Sequence, residues 1–168
     1  MDIILCRPHA HLRKIGTQCF VEKQDALCVI EVKGNCTGVD LKRAKSKAAL
    51  IQNLQGQNSP QYGLVCYKVA LELKTIMSRF GYSYDAANQT FFDNATIPNE
   101  AESDWRKIDY SELDFFVSLE ENKKVFLRKY ELSPGKFRFI RTVQSPLIKE
   151  LFAMTRGLWI PAHQTLAP

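Results

Sequence analysis

Apolar runs separated by short polar breaks divide the chain into strand-like and helix-like segments. A first strand-like run, Ile3 to Cys6, follows Asp2 and meets a polar turn at Arg7, Pro8 and His9. Gln18 to Val21 is a further β-prone run. From Asp25 five apolar residues, Ala26 to Ile30, lead into Glu31, Val32, Lys33 and Gly34, which reads as a strand buried for most of its length. Gly34, Asn35 and Cys36 read as a loop. Thr37 is then an N-cap with Asp40 three residues on, close to a capping box. The helix behind it should run to about Gln55 and stop at Gly56. Leu41, Ala44, Ala48 and Ile51 recur at helical spacing and form the stripe that packs on a sheet.

After a loop at Gln57 to Pro60, Gly63 to Val69 reads as a second buried strand. Ala70 to Phe80 reads as a second helix, with Leu73, Ile76, Met77 and Phe80 on one side. Strand, helix, strand, helix in that order predicts a right-handed parallel crossover, hence an α/β core. Tyr82 to Tyr110 is polar, acidic and aromatic without a period and reads as an irregular excursion. Leu113, Phe115, Val117 and Leu119 then alternate. Turns at Glu121 to Lys123 and Ser133 to Gly135 bracket a strand from Val125 to Leu132, and Phe137 to Thr142 forms another. Ser145 and Pro146 open a closing helix with Leu147, Ile148, Leu151 and Phe152 inside, ended by Gly157. The expectation is one domain over 1–168, an α/β core at 1–82 followed by a β-rich extension at 83–168 with an antiparallel meander. The 168 residues, 45% hydrophobic, suffice for one core.

Charge is unevenly distributed. Lys and Arg against Asp and Glu number 12 and 6 over residues 1–84, 2 and 10 over 85–121, and 9 and 2 over 122–168. Basic ends and a net charge of +5 suit contact with a phosphate backbone, and equally suit solvating charge spread over several faces. In the second half Lys123, Lys124, Arg128, Lys129, Lys136, Arg138 and Arg141 interleave with Phe126, Tyr130, Phe137 and Phe139, a pattern open to phosphate contact and base stacking. Among five cysteines there is no Cys-x-x-Cys pair. Cys6, Cys19, Cys28 and Cys66 lie in apolar runs and read as buried thiols in a reducing compartment, with Cys36 in a loop. His9 and His11 read as solvated loop residues. No apolar run is long enough to span a bilayer and the first residues are not a secretory signal, so a cytoplasmic location is expected.

On a strand, Glu31 and Lys33 leave the same face. A carboxylate beside an ammonium is the equipment of metal-assisted phosphodiester hydrolysis, and Asp2 supplies a second carboxylate on a neighbouring strand able to share a divalent ion. Taken alone, the tripeptide is an exposed ion pair of little energetic weight. Asp2 together with Glu31, Val32 and Lys33, followed by Gly34, Asn35, Thr37 and a helix opening at Asp40 and Leu41, resembles the PD-(D/E)xK nuclease superfamily from Met1 to about Val69. The resemblance implies a restriction-endonuclease-like mixed sheet flanked by helices. It also implies Mg²⁺ or Mn²⁺ held by Asp2, Glu31 and the Val32 carbonyl, with Lys33 positioning or helping to deprotonate water. The helix after Lys33 can lend a polar residue to such a site, for which Lys45 and Gln52 are candidates, while Lys42, Arg43 and Lys47 would face water or nucleic acid. DNA is the expected partner and a homodimer a possible state. Members usually carry a helix ahead of the aspartate strand that is not seen here. That difference motivates the alternative of a catalytically inactive nuclease-like module binding nucleic acid or protein.

Overall fold

In a computed structural model, residues 2–53, 59–93, 108–133 and 136–142 are described. Their strands are β1 (Asp2–Cys6), β2 (Leu12–Ile15), β3 (Gln18–Val21), β4 (Ala26–Cys36), β5 (Gln61–Val69), β6 (Tyr82–Asp85), β7 (Thr90–Asp93), β8 (Phe115–Ser118), β9 (Val125–Ser133) and β10 (Lys136–Thr142). Helix α1 (Gly38–Asn53) joins β4 to β5, and α2 (Leu73–Arg79) follows β5. Six strands form one sheet in the order β1-β4-β5-β8-β9-β10. Its centre, β4-β5-β8, is parallel, and the flanking pairs β1-β4, β8-β9 and β9-β10 are antiparallel. This is the α/β core the pattern predicted, built on the mixed sheet the resemblance implied.

Strand periodicity sorts the apolar side chains onto two faces. One face packs Leu64, Cys66, Phe116, Leu127 and Phe139 against Leu41, Ala44 and Ala48 of α1 and Ile76 and Met77 of α2. Phe80 closes that core, its ring 5.4 Å from Phe116 and 4.8 Å from Phe139. The other face gathers Cys28, Ile30, Phe115, Val117 and Phe126, with Leu5, Val32 and Val65 beside them. Gly63 is required where the faces are tightest, because a Cβ there would lie 2.2 Å from the Phe115 ring.

The capping box forms at the start of α1. The Thr37 N–H donates to Asp40 Oδ2 at 3.0 Å, and the Asp40 N–H donates to Thr37 Oγ1 at 3.3 Å. Gly81, at φ +88°, ends the α2 segment in the left-handed region.

Several elements differ from the expectation. β4 does not end at Gly34. Asn35 and Cys36 stay in register with Lys68 and Val69 of β5, and the Ala70 N–H donates to the Cys36 carbonyl at 2.8 Å. Cys36 is therefore buried in the core instead of lying in a loop. The stretch after Tyr82 is not wholly irregular: β6 and β7 pair as a hairpin. Its turn is built by the Asp85 carboxylate, which accepts the N–H groups of Ala87 at 2.9 Å and Asn88 at 3.2 Å. β8, β9 and β10 continue the main sheet, with Phe115 to Ser118 buried throughout. Cys19 is exposed because the β2-β3 hairpin stands off the core, and Cys6 is partly exposed at the end of edge strand β1. All five cysteines are free. The expected closing helix at 145–157 and the turn residues 134–135 lie outside the described residues. No helix among the described residues is long and apolar enough to cross a membrane.

Candidate functional site

The antiparallel register of β1 and β4 sets Asp2 directly opposite Glu31. Residues so paired share a face with Cβ atoms about 5 Å apart, and two like charges in that arrangement are destabilising unless cations answer them. Cations do. Lys33, two residues along the same face of β4, places Nζ 2.9 Å from Glu31 Oε1 and 3.4 Å from Asp40 Oδ1. From α1, Lys47 Nζ donates to Glu31 Oε2 at 3.0 Å. The Tyr62 hydroxyl, from β5, donates to that same oxygen. Tyr62 is itself fixed by its N–H, which donates to Asp114 Oδ2 at 2.7 Å. Glu31 and Asp40 thus share Lys33, Lys47 reaches Glu31 from the middle of α1, and Asp2 stands across from Glu31 on β1.

The electrostatics follow from these contacts. Glu31 is only 3% exposed. Burial opposes its ionisation, yet hydrogen bonds from Tyr62, Lys33 and Lys47 overcome it and hold the carboxyl down to about 2. Side-chain and backbone hydrogen bonds from Thr37, reinforced by Lys33, hold Asp40 at about 2 as well. Contact with Glu31, and then Asp40, raises Lys33, so its ammonium form is favoured. Burial and the Glu31 carboxylate push the Tyr62 phenol far above its ordinary value, and it remains a donor.

The sequence-predicted residues divide clearly. Glu31 and Lys33 form an ion pair, and Asp2, exposed, is paired in register with buried Glu31. Val32 sends its side chain to the opposite face, so only its backbone belongs to the site. Lys42 and Arg43 are exposed on α1. Lys45 and Gln52 do not turn toward the carboxylates. Lys45 Nζ donates to the Asp109 carbonyl at 2.6 Å, and Gln52 Nε2 donates to the Glu112 carbonyl at 2.7 Å, so both brace α1 against the segment before β8. Asp40, in the first turn of α1, and Lys47, on the flank opposite Lys45 and Gln52, are the α1 residues that reach the site.

Sequence reasoning missed Tyr62, Asp40 and the role of Lys47. A signal existed for Tyr62, which alternates with Leu64 and Cys66 on the helix-facing side of β5. The flank chosen by α1 depends on how the helix crosses the sheet, which a helical stripe does not encode.

In the second half, Arg128 lies over the Tyr130 ring at 5.5 Å and Lys129 over the Phe137 ring at 4.5 Å, while other members of the basic and aromatic pattern are taken up by the fold. Phe126 and Phe139 are core. Lys123 donates to the Val69 carbonyl at 2.8 Å, and Lys129 donates to the Ser111 carbonyl at 2.7 Å. Arg138 lies 3.9 Å from Asp93. His9 and His11 are exposed, and among the described residues no group of three or more His, Cys, Asp or Glu residues is placed to hold a metal ion.

No protein-family model matches the chain, and no curated protein matches it in sequence. Its fold is similar to that of E. coli MS115-1 NucC in the apo form, with a TM-score of 0.50 and 14% sequence identity. The similarity covers 92% of this chain and 65% of that one, so the chain spans less than two thirds of the NucC length. The likeness is one of fold.

Proposed function

We propose that this chain belongs to the PD-(D/E)xK superfamily and hydrolyses phosphodiester bonds of nucleic acid, DNA foremost, using Mg²⁺ or Mn²⁺ at a site made by Asp2, Glu31 and Lys33. One observation carries the reading: Asp2 faces Glu31 across β1 and β4 on the face where Lys33 sits 2.9 Å from Glu31.

The donors fit a hard divalent ion. Two carboxylates and the Val32 carbonyl are all oxygen ligands, and Mg²⁺ needs no more protein than one or two carboxylates, since water and substrate phosphate complete its shell. When bound, the ion supplies a Lewis acid beside the phosphate and an acidified water. Exposed Asp2 opens the site to solvent and substrate. Glu31 is aimed by Tyr62 and stays ionised across the physiological range. Lys33, braced between Glu31 and Asp40, acts as a charged donor that orients the attacking water and steadies negative charge on the phosphate, in preference to acting as its base. Lys42 and Arg43, exposed on α1, would touch the phosphate backbone.

Cleavage of plasmid and of labelled oligonucleotides with Mg²⁺, Mn²⁺ or chelator is the test. Wild type should cut only with metal, and Glu31→Ala and Lys33→Ala should each lower the rate at least a hundredfold with the fold retained. Cutting unaffected by both substitutions rejects the assignment.

A second reading, a nuclease-like module that binds without cutting, is favoured by one observation: both oxygens of Glu31 carry ammonium partners. Salt-sensitive nucleic-acid binding with no Mn²⁺ uptake by calorimetry would select it.

A further inference from the structure

We infer that Lys47 and the divalent ion compete for the Glu31 carboxylate, so that the ion enters by displacing the Lys47 ammonium. The inference rests on the metal-dependent reading above and assigns Lys47 a part within it.

A carboxylate offers about four lone-pair positions. On Glu31 three are used: Oε1 takes Lys33, and Oε2 takes both Lys47 and the Tyr62 hydroxyl. Two of those three donors are cations. An ion bound to Glu31 at about 2.1 Å would lie within roughly 5 Å of each ammonium, inside the range where like charges repel strongly at a partly buried site. One ammonium must move.

The structure distinguishes the two. Lys33 is held between two carboxylates, Glu31 at 2.9 Å and Asp40 at 3.4 Å, with its side chain 29% exposed. Lys47 is held at the site by Glu31 at 3.0 Å, its side chain is 49% exposed, and its four-carbon stem can swing toward solvent without disturbing α1. Charge balance agrees. Asp2, Glu31 and Asp40 with Lys33 alone carry two surplus negative charges, which one divalent ion matches.

The test is Mn²⁺ titration by calorimetry, without substrate, on the full chain. Variants are Lys47→Gln, Lys47→Arg, Lys14→Gln and Glu31→Gln, each checked for its fold by circular dichroism. Lys47→Gln should bind Mn²⁺ roughly fivefold more tightly than wild type, the effect of deleting one half-exposed competing charge. Lys47→Arg should stay near wild type. Lys14→Gln removes an equal charge on the exposed β2-β3 hairpin and should leave affinity unchanged. An affinity for Lys47→Gln equal to or weaker than wild type overturns the inference, as does an equal gain in Lys14→Gln, which would reduce the effect to net charge. Mn²⁺ binding by wild type that survives in Glu31→Gln also overturns it. Failure of wild type and every variant to bind Mn²⁺ overturns the metal-dependent reading itself, so the two failures are separable.

Discussion

Glu31 is a carboxylate whose burial opposes its ionisation, kept ionised by three donors from three elements. Removing the phenol tests how much of this is the tyrosine. Tyr62→Phe should lower unfolding free energy by about 2 kcal/mol, the usual worth of a hydrogen bond to a charged group, and should raise the Glu31 pKa above about 2, read by urea denaturation and by carbonyl NMR titration. The shared face of Glu31 and Lys33 and the strand carrying Asp2 beside them were legible in the sequence, because strand parity alone puts Glu31 and Lys33 on one face and an acidic residue opening an apolar run marks a neighbouring strand. Tyr62 and Lys47 were not. Their approach to Glu31 depends on the β4-β5 register and on the side of the stripe that α1 turns to β4, both settled only by packing.

Among the elements, β5 is the most constrained, since it lies between two parallel neighbours and lacks a side chain where Phe115 crosses it. Gly63→Ala should destabilise the fold by about 1 to 3 kcal/mol through overpacking against a buried ring, measured as a fall in the denaturation midpoint. β4, α1 and β5 were readable from apolar runs and a capping box because local pattern and tertiary role agree there. The tail of β4 was misread because Gly34 and Asn35 have turn chemistry that parallel pairing with β5 overrides. The β6-β7 hairpin was missed because its turn is made by an aspartate side chain in an otherwise polar stretch.

At the scale of the whole molecule, acid should weaken the fold. Glu31 and Asp40 both fall to about 2 in the folded state from 4.5 and 3.8, so the stability they contribute is complete above about 4.5 and drains away as pH drops toward 2. Asp114, raised by burial, works in the opposite direction and offsets part of this. Thermal melts should show a falling midpoint between pH 5 and pH 2.5, and a flat profile would contradict the ion cluster. The sequence pattern suggested a core nearly complete by residue 82, but β5 has its second parallel partner in β8, more than thirty residues later. A 1–82 fragment should therefore show no cooperative melt by circular dichroism. The same topology governs birth on the ribosome. Until residues 115–118 have left the exit tunnel, the edge of β5 is an open seam, and the nascent chain has every reason to seek a chaperone or a wrong strand to close it.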